Sequence, residues 1–256
     1  MAKGKNKKLP RKDKQKQRGD RHPFSRKEWF NVISPGAVQT RQPIGWTCCK
    51  KPQGTQVVSD FLKGRIAEMT YADITNSATD VSKHVYGIVD EVSGSNCFTN
   101  FYRYELSSDK ISGMIRKRQT LIEVNCEVKT SDGIVLRIFV VIVSNRQENQ
   151  KKLNSYVKMA RVKLLRKKLV AELQAIAAKQ KSDSIVYDTL TGALQKNLEK
   201  IIVKIIPNAK LEVSKIKTVK RGTVDTKKLV EDYNTEIPAE NAKKESPDAQ
   251  NTLSKD

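Results

Sequence analysis

Apolar positions change their spacing along the chain, and each change predicts a different kind of structure. Residues 1–27 hold almost no apolar side chains. From 28 to 150 the apolar positions come in short runs, as at 66–70 and 84–89, bounded by polar or glycine residues. The clearest unit is 121–143. Val124, Cys126 and Val128 alternate with Asn125, Glu127 and Lys129, the period of a half-buried strand. Thr130-Ser131-Asp132-Gly133 follows, and Asp-Gly is a strong hairpin signal because glycine tolerates positive φ. The returning segment, 134–143, is apolar on both faces except at Arg137, which predicts a strand central in a sheet or barrel wall. A helix interrupts this block: Ser107 or Ser108 caps it, Asp109 sits in its first turn, and Ile111, Met114 and Ile115 share a face.

Residues 155–206 read as helices. Ser155 is the expected cap, and Val162, Leu165, Leu169, Leu173 and Ile176 form one stripe at helical spacing. A second helix runs from about Gly192 to Ile206, with Leu194, Leu198, Ile201, Ile202 and Ile205 on one face and Pro207 as its stop. Residues 210–220 read as a basic strand or extended arm. The expected fold class is α+β: a small β-barrel-like core with flanking α-helices.

Charge adds the partner. The 256 residues carry 49 Lys/Arg against 28 Asp/Glu, a formal net charge of +21. Residues 1–27 hold 12 of the cations and 2 acids, a net of +10. A segment this polar cannot bury enough surface to offset its ordering entropy, so a disordered basic arm is expected there. Residues 233–256 read as a disordered polar tail, with prolines at 238 and 247. Between them, 28–232 is the expected core, divided into the barrel (28–150) and a helical and basic-strand part (151–232).

A surplus this large points to a polyanion, nucleic acid before an anionic membrane surface. The longest apolar run, 138–143, is six residues, whereas a membrane-spanning helix needs about 20. No membrane partner is therefore expected, and the basic N-terminus, with no apolar stretch behind it, does not read as a secretory signal. The candidate RNA-binding cations fall into clusters. The arm supplies Lys3, Lys5, Lys7, Lys8, Arg11, Lys12, Lys14, Lys16, Arg18, Arg21, Arg26 and Lys27. Arg116, Lys117 and Arg118 follow the first helix. Lys151, Lys152, Lys158, Arg161, Lys163, Arg166, Lys167 and Lys168 come from a stretch, 151–170, with no acid. Lys215, Lys217, Lys220 and Arg221 form the last cluster. Arg65, beside Gly64, suits either a phosphate or an ion pair with Glu68. No sequence-reading motif of an RRM, KH domain or zinc finger is visible, so the binding reads as phosphate-dominated and shape-reading, as for folded RNA. Phe98, Phe101, Tyr102 and Tyr104 read as core rather than stacking platform, and Trp29 and Trp46 as packing anchors with partner contact left open.

Catalytic chemistry finds little support. Cys48, Cys49, Cys97 and Cys126 lack metal-ligand spacing, and His22 and His84 are the only histidines, so reduced core thiols are expected rather than a metal site. Phosphate-loop and dinucleotide motifs are absent. Asp90 and Glu91 are adjacent but nothing marks a shared site. No cofactor and no enzyme activity are expected; a nucleic-acid enzyme would need the carboxylate or metal cluster this sequence lacks.

Four segments carry a resemblance: Pro23-Phe24-Ser25-Arg26-Lys27-Glu28-Trp29; Leu62-Lys63-Gly64-Arg65-Ile66-Ala67-Glu68-Met69-Thr70-Tyr71-Ala72-Asp73-Ile74; Asn96-Cys97-Phe98-Thr99-Asn100-Phe101; and Arg118-Gln119-Thr120-Leu121-Ile122-Glu123 followed by Val128-Lys129-Thr130-Ser131-Asp132-Gly133. In order and spacing, over about residues 3–230, the chain resembles the archaeal and eukaryotic small-subunit ribosomal protein family eS-one (older name S-three-A). Tyr71 and Ile74 stand where that family usually has leucines, and the tail beyond about Asp232 finds no counterpart. The resemblance implies a non-enzymatic, structural constituent of the small subunit. It implies a seat on the platform near the messenger exit, one copy per subunit, and a part in assembly and translation. Implied partners are small-subunit ribosomal RNA and neighbouring ribosomal proteins, with messenger RNA and initiation factors near the exit. The implied location is the cytoplasmic ribosome, with a nucleolar stage during assembly. The alternative is a free RNA-binding chaperone or translation factor of the same fold.

Overall fold

The structure is a computed structural model that describes residues 24, 27–52, 54–222, 230, 231 and 233. Eight strands form it: β1 (Lys27–Ile33), β2 (Pro43–Lys50), β3 (Ile66–Thr70), β4 (Lys83–Ser93), β5 (Asn96–Leu106), β6 (Leu121–Lys129), β7 (Val135–Ser144) and β8 (Ala209–Lys220). The helices are α1 (Val58–Leu62), α2 (Tyr71–Thr75), α3 (Ser108–Met114), α4 (Met159–Lys179), α5 (Ser182–Thr191) and α6 (Ala193–Val203). The α+β class expected from the sequence holds.

The expected barrel does not close. The strands form one open sheet in the order β2-β1-β5-β8-β7-β6, with β4 on β5 and β3 on β4. Among the described residues β2 pairs only with β1, and β3 only with β4. Between these two edges lies a cleft of about 490 Å³ lined by residues such as Gly45, Trp46, Arg65, Ala67 and His84. Arg65 explains the gap. Its Nη1 donates to Thr47 Oγ1 (2.5 Å) and to the Cys48 carbonyl (2.9 Å). A side chain thus satisfies acceptors on β2 without a strand-to-strand ladder.

The 121–143 hairpin forms as its pattern dictates. β6 alternates buried and exposed residues along its whole length, and Gly133 turns at φ +79°. β7 lies between β6 and β8, the central position its apolar run predicts. Residues 210–220 form β8, a strand rather than an arm. One face of this triplet carries Ile122, Val124, Cys126, Leu136, Ile138, Val140, Ile142, Leu211, Val213 and Ile216, and Val162, Leu165, Leu169 and Leu173 of α4 bury against it. Each fully buried leucine contributes about 1.5–3 kcal/mol. Ile176 is only partly buried; Ala177 ends the stripe instead.

Two local expectations need correction. Ser155 does not cap α4. Its N–H and hydroxyl both donate to the Arg118 carbonyl, at 2.9 and 3.2 Å, because Gln119 and Ser155 form a β-bridge. Lys158 is the N-cap, with no side-chain capping bond. The second helical segment begins at Ala193 and is preceded by α5, which takes its N-terminal support from the hairpin turn: the Ser182 N–H donates to Asp132 Oδ2 at 3.0 Å, satisfying one of the free donors of a first turn. At the other end of α5, Lys83 Nζ donates to the Leu190 carbonyl (2.5 Å) and pairs with Asp80 (2.9 Å), a cation placed against a helix C-terminus.

Candidate nucleic-acid interface

Burying the α4 stripe leaves the rest of that helix outside. Lys158, Arg161, Lys163, Arg166, Lys167 and Lys168 are all exposed. The helix starts where the chain leaves the Arg118 bridge, and this join brings separate clusters together. Ser155 fixes the Arg116-Lys117-Arg118 loop beside the 151–158 segment, and the Val157 N–H donates to Thr120 Oγ1 at 3.0 Å. Gln150 Nε2 folds the preceding loop onto itself by donating to the carbonyls of Lys152 (3.0 Å) and Asn154 (2.7 Å). Arg116, Lys117, Arg118, Lys151 and Lys152 are likewise exposed. The result is one surface from three stretches of sequence. None of its cations forms an ion pair with a described residue. Arg166 Nε donates to the Glu123 carbonyl at 3.2 Å, a backbone contact that leaves its charge uncompensated. Such a surface suits a polyanion, whose phosphates would release counterions on binding.

The β8 cluster sits elsewhere and is built differently. β7 pairs Val135 with Lys220 at one end and Ser144 with Ala209 at the other. Lys215 lies opposite Phe139 and Lys220 opposite Val135, five and nine residues from Ser144, where Thr120 and Ser155 bond; at about 3.3 Å per residue that is roughly 17 to 30 Å along the strand. Lys215 pairs with Glu105 (2.7 Å), whose other oxygen binds Arg103 (3.3 Å). Arg221 pairs with Asp90 (3.2 Å) and lies 5.5 Å from the Tyr102 ring centroid. Lys217 and Lys220 are exposed. Here a cross-strand acid, Glu105, and Asp90 of β4 have taken up part of the charge.

Arg65 does not form the expected ion pair with Glu68: its guanidinium is held by β2, while Glu68 contacts His84 (3.4 Å) and accepts from the Tyr86 hydroxyl (2.9 Å). Lys27 lies over the Phe24 ring, 5.1 Å from its centroid. Lys3, Lys5, Lys7, Lys8, Arg11, Lys12, Lys14, Lys16, Arg18, Arg21 and Arg26 fall outside the described residues. So do the disorder expected of the arm and almost all of the tail, although Tyr233 is buried against Phe98 in an edge contact with ring centroids 5.3 Å apart.

Phe98 and Tyr104 are buried, as core residues should be. Trp29 and Trp46 are not anchors; they are 49% and 75% exposed. The basic segment also exposes Leu153, Tyr156 and Met159, which the sequence reading missed because they follow no period. The cysteines are free, three of them buried. Burial pushes the Cys97 and Cys126 thiols up to about 11, against an ordinary value of 9.0, far from the thiolate a nucleophile needs. No group of three or more metal-ligating side chains occurs among the described residues.

Fold and surface together define a class: a mixed α/β protein whose main feature outside the core is a one-signed cationic surface, the kind that faces a polyanion. The chain belongs to the Ribosomal S3Ae family, whose sequence pattern matches residues 14–222. It is similar to the small ribosomal subunit protein eS1 of Caenorhabditis elegans, 35% identical over 230 residues that span 90% of this chain and 88% of that protein. The protein of the same name from Brugia malayi is 34% identical over 251 residues, 97% of this chain and 96% of its own. That from Theileria annulata is 35% identical over 234 residues, 91% and 89%. The Brugia alignment covers so much of the chain that it runs beyond Asp232, where the sequence reading had found no counterpart.

Proposed function

We propose that this chain is a structural, non-catalytic constituent of the small ribosomal subunit, bound to its ribosomal RNA through the α4 surface and the basic N-terminal stretch. The observation that carries the reading is the convergence of loop 116–118, Lys151, Lys152 and the first half of α4 into one surface whose cations have no acidic partner among the described residues. Membership of a ribosomal protein family supports it. The seat is the platform near the messenger exit, one copy per subunit, beside other small-subunit proteins, with messenger RNA and initiation factors within reach. The chain enters during assembly, a nucleolar step, and stays with the cytoplasmic ribosome.

Sedimentation of a cell lysate at low and then moderately high salt tests this. The protein is expected to track the small subunit, monosomes and polysomes, and to remain after the salt wash. Release to the top of the gradient by salt would instead make it a loosely bound RNA chaperone or translation factor.

A further inference from the structure

The outer face of the β1–β2 hairpin is an aromatic and cationic surface that the phosphate-binding reading leaves unused. The register pairs Lys27 with Lys50, Trp29 with Cys48 and Asn31 with Trp46. Cross-strand partners share a face, so two tryptophans and two lysines stand on one side with Asn31 and Cys48, and no acid is among them. The opposite side, with Phe30, Val32 and Cys49, is buried. Trp29 and Trp46 sit on a diagonal of the ladder, within reach of one extended ligand. Phe24 extends the row, its ring 6.1 Å from that of Trp29. Asn31 is braced by Asn96 (3.1 Å), and a shallow recess of about 390 Å³ opens beside Trp46, lined by Asn31, Pro43, Ile44 and Gly45. Indole rings exposed this far in water, beside a pair of lysines at one end of the hairpin, have the chemistry of a base-stacking platform.

We infer that this face binds an unpaired stretch of RNA, with bases stacked on Trp29 and Trp46 and the backbone held by Lys27 and Lys50. The charge favours this occupant over an apolar protein segment. The inference rests on the RNA-binding reading above and adds a second mode to it: single-strand stacking here, phosphate tracking on α4.

These are the only two tryptophans in the chain, so indole fluorescence reports on this face alone. The full-length protein is titrated with a short oligouridylate and with a duplex RNA of equal length, binding being followed separately by anisotropy of labelled RNA. Oligouridylate is expected to quench the indoles and the duplex to leave them bright. Trp29→Leu and Trp46→Leu should each lower single-strand affinity about tenfold, Trp→Phe variants should retain most of it, and duplex affinity should be unchanged. Both side chains are exposed, and circular dichroism confirms that the variants fold. Saturated oligouridylate binding without quenching overturns the platform, as does equal loss of single-strand and duplex affinity. Leucine variants that bind RNA normally but no longer sediment with the small subunit would show a protein-docking face instead. Failure of the wild type to bind either RNA overturns the RNA reading itself, an outcome distinct from duplex binding without stacking.

Discussion

The α4 surface and the β8 face hold similar densities of Lys and Arg, yet they differ in what surrounds them. On α4 the cations stand on a helix whose neighbours in sequence, residues 151–170, include no acid. On β8 Lys215 pairs with Glu105 of the neighbouring β5, and Arg221, just past the strand, pairs with Asp90 of β4. A strand cation whose partner strand supplies a carboxylate belongs to the fold; a helix cation with no such partner is available to a polyanion. Counting cations along the sequence does not separate the two cases. Locating the acids does.

Charge reversal breaks this comparison most sharply. Lys163→Glu, Arg166→Glu and Lys167→Glu together should weaken binding to small-subunit RNA by about a thousandfold at moderate salt. Their alanine counterparts should flatten the salt dependence by roughly 0.7–0.9 for each phosphate no longer neutralised. The same changes at Lys215 and Arg221 should cost only about threefold, because those charges are already half spent on Glu105 and Asp90. A salt series of binding isotherms decides the matter. Equal weakening at the two faces would show that neighbouring acids do not set the division.

The inner side of α4 gives the next largest effect. Leu169 is fully buried between Leu165 and Leu173 against the β6–β7–β8 face. Leu169→Ala should destabilise the protein by about 3 kcal/mol, since the cavity cannot collapse between a rigid sheet and a helix. Urea unfolding measures this. RNA affinity of the folded fraction should be unchanged, which separates the helix's inward task from its outward one.

The same two regions show what could be read from sequence. The α4 stripe and the β6–β7 hairpin were legible because each repeats one period over many residues, and a buried face imposes that period. Arg116, Lys117, Arg118 and the α4 cations were legible as types, but their meeting was not: it depends on the Gln119–Ser155 bridge, formed between residues far apart in sequence and without pattern. Ser155 looked like a cap because caps are local, but the bridge keeps 155 extended and the helix starts only behind Lys158. The open edge between β2 and β3 was illegible for a similar reason. Strand patterns reveal that strands exist, whereas closure depends on whether two edges come within pairing distance, and here Arg65 occupies the interval. The tryptophans were misread because size and apolarity alone favour burial, while their exposure follows from hairpin register.

Two buried thiols sharpen the comparison at a smaller scale, one on each side of the molecule. Cys126 lies under α4, and Cys97 lies in a small cluster with Phe30, Cys49, Leu62 and Val89. Burial raises both to about 11; at Cys97 the Arg65 charge pulls down and Cys49 pushes up, but burial dominates. A thiol raised in the folded state ionises first in the unfolded chain. Its contribution is therefore fully present below pH 9 and is lost as pH rises toward 11. Between pH 9 and 10 each thiol should cost about 1 kcal/mol of stability, beside the loss from the phenols of Tyr71, Tyr86 and Tyr104, which burial raises in the same direction. Denaturation midpoints across that window check it, and Cys126→Ala and Cys97→Ala should each remove their share of the slope.

The smallest effect belongs to the ion pairs of the β8 face. Lys215 and Glu105 are each about 70% covered rather than fully buried, so water screens their attraction and holding both chains in place costs entropy. Lys215→Met keeps the aliphatic stem that packs on the strand and removes only the charge. Unfolding free energy should fall by less than about 1 kcal/mol, and less again in high salt, where the pair is screened further. The double change with Glu105→Gln should recover most of that decrease, because neither partner is then left alone. A decrease above about 2 kcal/mol, insensitive to salt, would mean that the pair is effectively desolvated. Lys215 would then belong to the fold outright, and Lys217 and Lys220 would be the cations of this cluster still open to an anion.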